Sequence, residues 1–416
     1  MRKSYDCITL IKGKPPAEIP YFGLGAEPYL NPEYLRGKTQ FEFAKPAFNA
    51  VKISDGELIL LWDGSNAGEF FRGRQGVLAS TMSLISHDDA FDPNYFYYAV
   101  KNFEPYLKGQ TSGSGIPHVD KEVLGRLQVL LFETDEQTKI AEILSTLDQA
   151  IEQTEAIIAK QQRIKTGLMQ DLLTKGIDEN GNIRSEATHE FKDSPQGRIP
   201  VEWDVTPAEV LCNAVIDCKN RTPPETKDGH PVIRTPNVRN GKFVWNDLAF
   251  TDANSFKIWT ARGQPRAGDV VITREAPFGE ACVIPDEVAF PCLGQRMMMY
   301  QPDPAKLRSD YLVFAIYSER VQQRLFELAG GSTVGHIRVG DIRTLSIPHP
   351  LKIDEQTAIA SAINEITTNL KILVSDLQKY SRLKTGLMHD LLTGKVRVPD
   401  IQNPTLTLES LCTPLN

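Results

Sequence analysis

No run of about 18 apolar residues occurs anywhere in the 416-residue chain, so a membrane-spanning helix is not expected. The Met-Arg-Lys start is not followed by the apolar core of a secretion signal, which makes the cytoplasm the expected location. Cysteine is sparse: Cys7, Cys212, Cys218, Cys282, Cys292 and Cys412 show no CxxC or CxxH pairing at zinc-ligand spacing, and they read as reduced thiols. Positive charge is not in excess, because 46 Lys and Arg stand against 53 Asp and Glu for a net charge of −7. A nucleic-acid binder working alone usually needs a basic surface. A protein inside a larger complex can present a local basic face and leave part of the counterion release to its partners. Catalytic motifs are missing as well. An amino-methyltransferase needs an [ND]PP[FYW] pocket and a Gly-rich loop for S-adenosylmethionine. The nearest strings, NPEY at Asn31 and DPNY at Asp92, lack the second proline, and GLG at Gly23 is a lone fragment. RGKT at Arg36 resembles the end of a phosphate-binding loop, but the position five before Gly37 is Pro32 rather than glycine, so the backbone nest cannot form. No catalytic residue, metal site or bound cofactor is expected.

What the chain does contain is a repeat. DEQTKIAEILSTLDQAIEQTEAIIAKQQRIKTGLMQDLLT from Asp135 returns as DEQTAIASAINEITTNLKILVSDLQKYSRLKTGLMHDLLT from Asp354, at a constant offset of 219 residues with nothing gained or lost. Apolar positions keep a 3-4 spacing while their chemistry drifts: Ile140, Leu144, Leu147, Ile151, Ile158 and Leu168 in one copy, and Ile359, Ile363, Ile366, Leu370, Leu373, Leu377, Tyr380 and Leu387 in the other. This heptad seam predicts two long helices that pair. Fixed length with drifting side chains suits a spacer, since one inserted residue would rotate whatever hangs on the end by about 100°. The DEQ at each helix start reads as acidic capping of the positive helix end. Lys160, Arg163, Lys165 and Lys175, mirrored by Lys379, Arg382, Lys384 and Lys395, complement the helix C-termini or meet a partner or phosphate.

The length predicts two to three domains, and 41% hydrophobic with 24% charged residues is ordinary for a folded protein. The expected organisation is a globular domain over 1–134, a helix over 135–176, a polar Gly/Pro-punctuated linker over 177–200, a second globular domain over 201–353, a second helix over 354–395 and a loose tail over 396–416. The globular domains also repeat faintly. SGIPHVDKEVLGRLQVLL parallels TVGHIRVGDIRTLSIPHP, and DGELILLWDGSNAGEFF at Asp55 resembles GDVVITREAPFGEACVI at Gly268, a β-rich run, a Gly turn and another strand. The first domain shows no counterpart of the GRIPVEWDVTPAEVL that opens the second. Chain order makes two helices sharing a seam antiparallel, and a helix of roughly 38 residues spans ~57 Å. Two inverted readers held at a fixed separation suit a split target on a duplex.

Candidate contacts follow from residue chemistry. Gly and Ser/Thr clusters at Gln110 and Gly330 leave amides and hydroxyls free for phosphate oxygens, which singles out Ser112, Ser114, Ser332 and Thr333, and each cluster is followed by a histidine, His118 and His336. Arg and Lys suit guanine, and Asn suits adenine, in the major groove. The pool is Lys52, Asn66, Arg72 and Arg74 in the first domain, and Arg234, Asn237, Arg239, Lys242, Arg274 and Arg296 in the second. Surface ion pairing is the competing account of each.

Together, the paired helices with DEQxxIA starts and KxGLMxDLLT ends, the alternation of variable domain and helix, GRIPVEW, and IRTPNVRNGKF from Ile233 followed by GDVVITR resemble the specificity (S) subunit of type I restriction-modification systems over essentially the whole chain. The resemblance implies an α/β (α+β) protein: two target recognition domains with β-rich cores, joined by two antiparallel coiled-coil helices in a pseudo-two-fold, circular arrangement. It implies that each domain reads one half of a bipartite double-stranded DNA target and that the helices set the gap and dock two modification (methyltransferase) subunits. Restriction subunits would carry the motor and nuclease, and S-adenosylmethionine, ATP and Mg would sit on those partners. Two rivals stand beside it. A lone methyltransferase or nuclease would bind S-adenosylmethionine by itself, and a coiled-coil adaptor would show no salt-dependent retention on duplex DNA.

Overall fold

The computed structural model describes residues 2–3, 8–37, 42–111, 115–275, 277–331 and 335–398. Two compact units emerge: residues 1–156 with 375–416, and residues 157–374.

In the first unit the strand Leu58–Leu61 is apolar at every position, and all four residues are buried. Alternate side chains of a strand face opposite ways. Leu58 and Leu60 enter a cluster with Tyr95 and Phe96 of the helix Pro93–Lys101, while Ile59 and Leu61 enter another with Leu30, Phe71 and Leu78. A strand covered on both faces needs no polar side, which explains the unbroken apolar run. Around it lies a sheet in the order Ile8–Lys12, Met82–His87, Leu58–Leu61, Phe70–Arg72, antiparallel throughout. The covering sheet contains the parallel pair Glu27–Leu30 and Gly76–Leu78. Helices Glu104–Gly109 and Lys121–Arg126 follow.

The second unit repeats this order. Its sheet runs Cys212–Asp217, Met297–Pro302, Val270–Thr273, Ala281–Val283, again antiparallel, and the parallel pair is His230–Ile233 with Cys292–Leu293. Val270 and Ile272 face the helix-side cluster and Val271 faces the other. Helices Ser309–Ile316, Glu319–Leu328 and Val339–Arg343 complete it. The sequence comparison missed one element of the repeat. In unit 2 Trp203–Pro207 pairs with Ser346–Pro350, and in unit 1 Arg2–Lys3 pairs in the same antiparallel sense with Gln128–Val129. The first domain therefore has a two-residue counterpart of the WDVTP strand within GRIPVEWDVTPAEVL. Ladder bonds are made by main chain, so the counterpart needs no shared side chains.

The repeated segments form helices over Thr134–Leu172 and Ile353–Leu392. No helix among the described residues is long and apolar enough to cross a membrane. Cys212, Cys218, Cys282 and Cys292 are buried free thiols, and burial pushes those of Cys212, Cys282 and Cys292 up to about 12, which leaves them inert.

His349, on the strand that pairs with Trp203–Pro207, is buried, with Nδ1 3.1 Å from the Ile347 carbonyl oxygen. Burial holds its pKa below the ordinary 6.5. The unfolded chain therefore takes up a proton that the folded unit resists, so this stability is present above pH 6.5 and is lost as pH falls below it. Unit 2 should show a lower urea midpoint at about pH 5.5 than at about pH 7.5, and His349→Gln should flatten that difference. An unaltered pH slope in the variant would remove His349 as its source.

Candidate nucleic-acid interface

In each unit the segment that leads into the last short helix crosses the end of the central strand. Asp63 and His118 form a β-bridge in unit 1, and Glu275 and His336 form one in unit 2. Gly64 N donates to Pro117 O at 2.8 Å and Val119 N to Trp62 O at 3.0 Å, while Ile337 N donates to Arg274 O at 3.0 Å. The acid of each pair gathers basic side chains. Lys12 Nζ lies 2.8 Å from Asp63. Glu275 holds Arg296 Nε at 2.6 Å and His336 Nδ1 at 2.8 Å. Lys12, Arg296 and His336 are each about half exposed, and exposed ion pairs are worth little in water, so an incoming phosphate can take over Lys12 and Arg296. Lys12 is a candidate contact that sequence reasoning did not find. Ser112, Ser114, Ser332 and Thr333 lie outside the described residues.

The base-reading pool divides by what each side chain already does. Asn66 is exposed in the turn after the central strand, and Arg74 is exposed over the Tyr34 ring at 5.5 Å. Lys52 is exposed and paired with Glu27 at 2.7 Å. Arg72 donates to Asn94 at 2.6 Å and stacks 4.4 Å from the Tyr97 ring centre. Arg234 donates to Asp247 O at 2.6 Å, and Arg239 to Thr235 O at 2.6 Å, both half-buried. Lys242 and Arg296 are exposed, the latter at φ 73°, a left-handed conformation that an ordinary side chain seldom adopts. Two members leave the pool. Asn237 has no exposed surface; its oxygen accepts from Arg234 N, and its amide nitrogen donates to Val244 O at 3.1 Å and Asn246 O at 3.3 Å. That side chain pins a turn and cannot present itself to an adenine. Arg274 is 7% exposed and donates inward to Ile337 O.

The DEQ motifs do more than cap. Gln137 is buried; its Oε1 accepts from Asp92 N at 2.8 Å, and its Nε2 donates to Ala90 O at 3.0 Å and Phe132 O at 2.9 Å. Gln356 repeats the pattern with Arg308 N, Lys306 O and Pro350 O at 2.9, 2.9 and 3.0 Å. The glutamates reach the chain leaving the opposite helix. Glu136 accepts from Arg397 Nε at 2.8 Å and Val398 N at 3.3 Å. Glu355 accepts from Ile177 N at 3.2 Å, Arg184 Nη2 at 3.1 Å and Trp203 Nε1 at 2.9 Å. The tryptophan of GRIPVEW is thus part of the joint. Only the recurrence of DEQ at the same offset signalled these roles.

Helix pairing is antiparallel within each unit. In unit 1, Ile140 and Leu144 share a core with Leu391 and Leu392; in unit 2, Leu172 and Leu173 share one with Ile359 and Ile363. Of the expected seam, Ile140, Leu144, Leu147, Ile158, Ile359 and Ile363 are buried, and Leu168 and Leu387 pack at the edges of these cores. Ile151, Ile366, Leu370, Leu373, Leu377 and Tyr380 are only half-buried, which corrects the expectation of a fully buried seam. The reason is local: the helix ends are covered by a globular domain, and two helices alone cannot enclose a side chain.

Duplicated sheet-and-helix domains with different surfaces, each followed by a helix of fixed length, define a tandem recognition protein. The chain belongs to the type I restriction modification DNA specificity domain family, whose sequence model matches residues 11–161 and 200–379. It is 32% identical over 406 residues to the type I restriction enzyme MjaVIII specificity subunit of Methanocaldococcus jannaschii, covering 95% of this chain and 92% of that one. In fold it is similar to the crystal structure of a type I restriction-modification system S subunit from M. genitalium, with a TM-score of 0.60 at 14% identity over 94% of this chain and 95% of that one. A further type I chain, from a structure addressing complex assembly and conformational transition, has a TM-score of 0.51 at 15% identity over 94% and 98%.

Proposed function

We propose that this chain is the non-catalytic specificity subunit of a type I restriction-modification complex. Each domain reads one half of a bipartite double-stranded DNA target, and the helix pair sets the gap and docks two modification (methyltransferase) subunits, with restriction subunits joining the assembly. S-adenosylmethionine, ATP and Mg belong to those partners, and the complex works in the cytoplasm. The observation that carries this reading is the repetition of one strand order, one Asp/Glu–His bridge and one glutamine joint in two units whose surface side chains differ. A shared scaffold with divergent surfaces suits two recognition functions. Lys12, Asn66, Arg72, Arg74 and His118 form the contact set of the first domain. Arg234, Arg239, Lys242, Arg296 and His336 form that of the second, and the Gly/Ser loops at Ser112, Ser114, Ser332 and Thr333 add phosphate contacts. Lys52 joins the first set if duplex displaces Glu27.

Exchange of residues 1–134 for the matching domain of a relative tests it. Methylome sequencing should show one half of the methylated motif replaced and the other half intact. Alteration of both halves would end the modular reading.

A further inference from the structure

The two halves are not electrostatically equivalent where the helices meet their domains. In unit 1 Lys384 is ion-paired with Asp148, whose other oxygen accepts from Tyr98 OH at 2.7 Å, and the amine lies 5.9 Å over the Tyr98 ring. The constant offset of 219 carries these residues onto unit 2: Tyr98 onto Tyr317, Lys384 onto Lys165, Asp148 onto Thr367, and Glu152 onto Lys371. Both acids are gone. Thr367 does not substitute for Asp148, because its hydroxyl turns back to Ile363 O at 2.8 Å. Tyr317 now donates to Glu280 at 2.6 Å, and the same carboxylate oxygen takes Asn240 N at 2.6 Å, fixing the hairpin that carries Lys242. Thr166 and Met169, beside Lys165, line one hollow with Tyr317, which sets the helix against that hairpin region. Lys165 is half-buried, and the charges acting on it are Lys242 and Lys371, both of its own sign. Burial first, then these two amines, hold its pKa below the ordinary value. Among the described residues none of the three amines has a hydrogen-bond or ion-pair partner. Two like charges beside a half-buried amine, without a counter-charge, are unfavourable unless an anion completes the set.

We propose that Lys165, Lys242 and Lys371 form a seat for backbone phosphate of the bound duplex, open in unit 2 and closed by Asp148 in unit 1. This rests on the chain being a DNA-specificity subunit. The seat is made of lysines alone, which act as compact, orientation-tolerant point charges suited to phosphate, whereas flat carboxylates are better matched by the arginine fork. It joins a spacer helix to the hairpin in which Arg239 pairs with Lys242, just after Arg234, so duplex read by that domain runs past it.

The test uses the specificity subunit assembled with its modification subunits and measures affinity for target duplex as a function of salt. Each phosphate contact contributes about 0.9 to the slope of log affinity against log salt. The triple variant Lys165→Gln, Lys242→Gln, Lys371→Gln should lower that slope by about 2 to 3, weakening target and scrambled duplex alike because phosphate contacts carry no sequence information. Thr367→Asp, which installs the carboxylate of unit 1 and truncates nothing, should lower it by about 1. A slope unchanged in both variants overturns the seat. Loss of modification-subunit assembly with an unchanged slope also overturns it and assigns the lysines to an acidic protein face. Inorganic phosphate, added at constant ionic strength, should not compete at millimolar levels. Competition lost in the triple variant would make this a free-phosphate site and overturn the backbone assignment. A wild-type complex that binds no duplex overturns the functional reading itself, whereas wild-type binding with unchanged variant slopes overturns the seat alone.

Discussion

Glu355→Ala should cost unit 2 about 3 kcal/mol of unfolding free energy. Its carboxylate is 9% exposed and faces Arg184, which is 6% exposed and whose Nε has no hydrogen-bond partner, with only the looser Glu202 carboxylate at 3.8 Å. Removing the acid leaves a shielded guanidinium with only the half-exposed Glu202 at 3.8 Å as counter-charge and takes the acceptor from Trp203 Nε1 and Ile177 N. Breaking a deeply buried pair costs about 3–5 kcal/mol, and this one lies near the surface, so the lower end applies. Glu355→Gln keeps an acceptor for the tryptophan and the amide but loses the charge, so it should fall between wild type and alanine. Glu136→Ala should matter far less, because Arg397 is 64% exposed and water already serves it. Urea unfolding of the three variants checks this order. A Glu355→Ala midpoint equal to wild type would show that the joint does not hold the unit together.

Four residues added between Thr154 and Ile158, with four more between Leu373 and Leu377, should lengthen the helix pair by ~6 Å at ~1.5 Å per residue. The preferred gap in the DNA target should grow by one or two base pairs at ~3.4 Å each, with both half-sites unchanged. The insertion points are chosen from the seam. Leu370, Leu373 and Leu377 are half-buried, and Thr154 and Ile158, though buried, lie outside the domain cores, whose helix contacts are at Ile140, Leu144, Ile359 and Ile363. An added turn near the middle therefore leaves the domain cores intact. Methylome sequencing of a host carrying the variant reads the gap directly. An active variant that keeps the original gap would reduce the helices to scaffolding.

The duplication was legible because helices and central strands are written in periodic apolar positions: Leu58–Leu61 and Val270–Thr273 read as buried strands, and the repeated DEQ segments read as helices of equal length. What escaped the sequence was set by bonds to main chain. Gln137 and Gln356 look like surface polar residues at a helix start, and Asn237 looks like a base reader, because a side chain that bonds to carbonyls and amides leaves no complementary residue to find. The strand Arg2–Lys3 escaped for the same reason. Arg274 was misplaced because the residue type does not reveal whether a guanidinium points outward or back to Ile337.

The bonds from Gln137 into its domain end on Asp92 N, Ala90 O and Phe132 O, and those from Gln356 on Arg308 N, Lys306 O and Pro350 O, so neither glutamine depends on a partner side chain. Backbone amides and carbonyls are the same whatever the side chain. A recombination that brings in a foreign domain ahead of a DEQ helix therefore inherits working glutamine bonds at once, and a host population can change what such a protein recognises in a single genetic step, without a period of repair by compensating mutation.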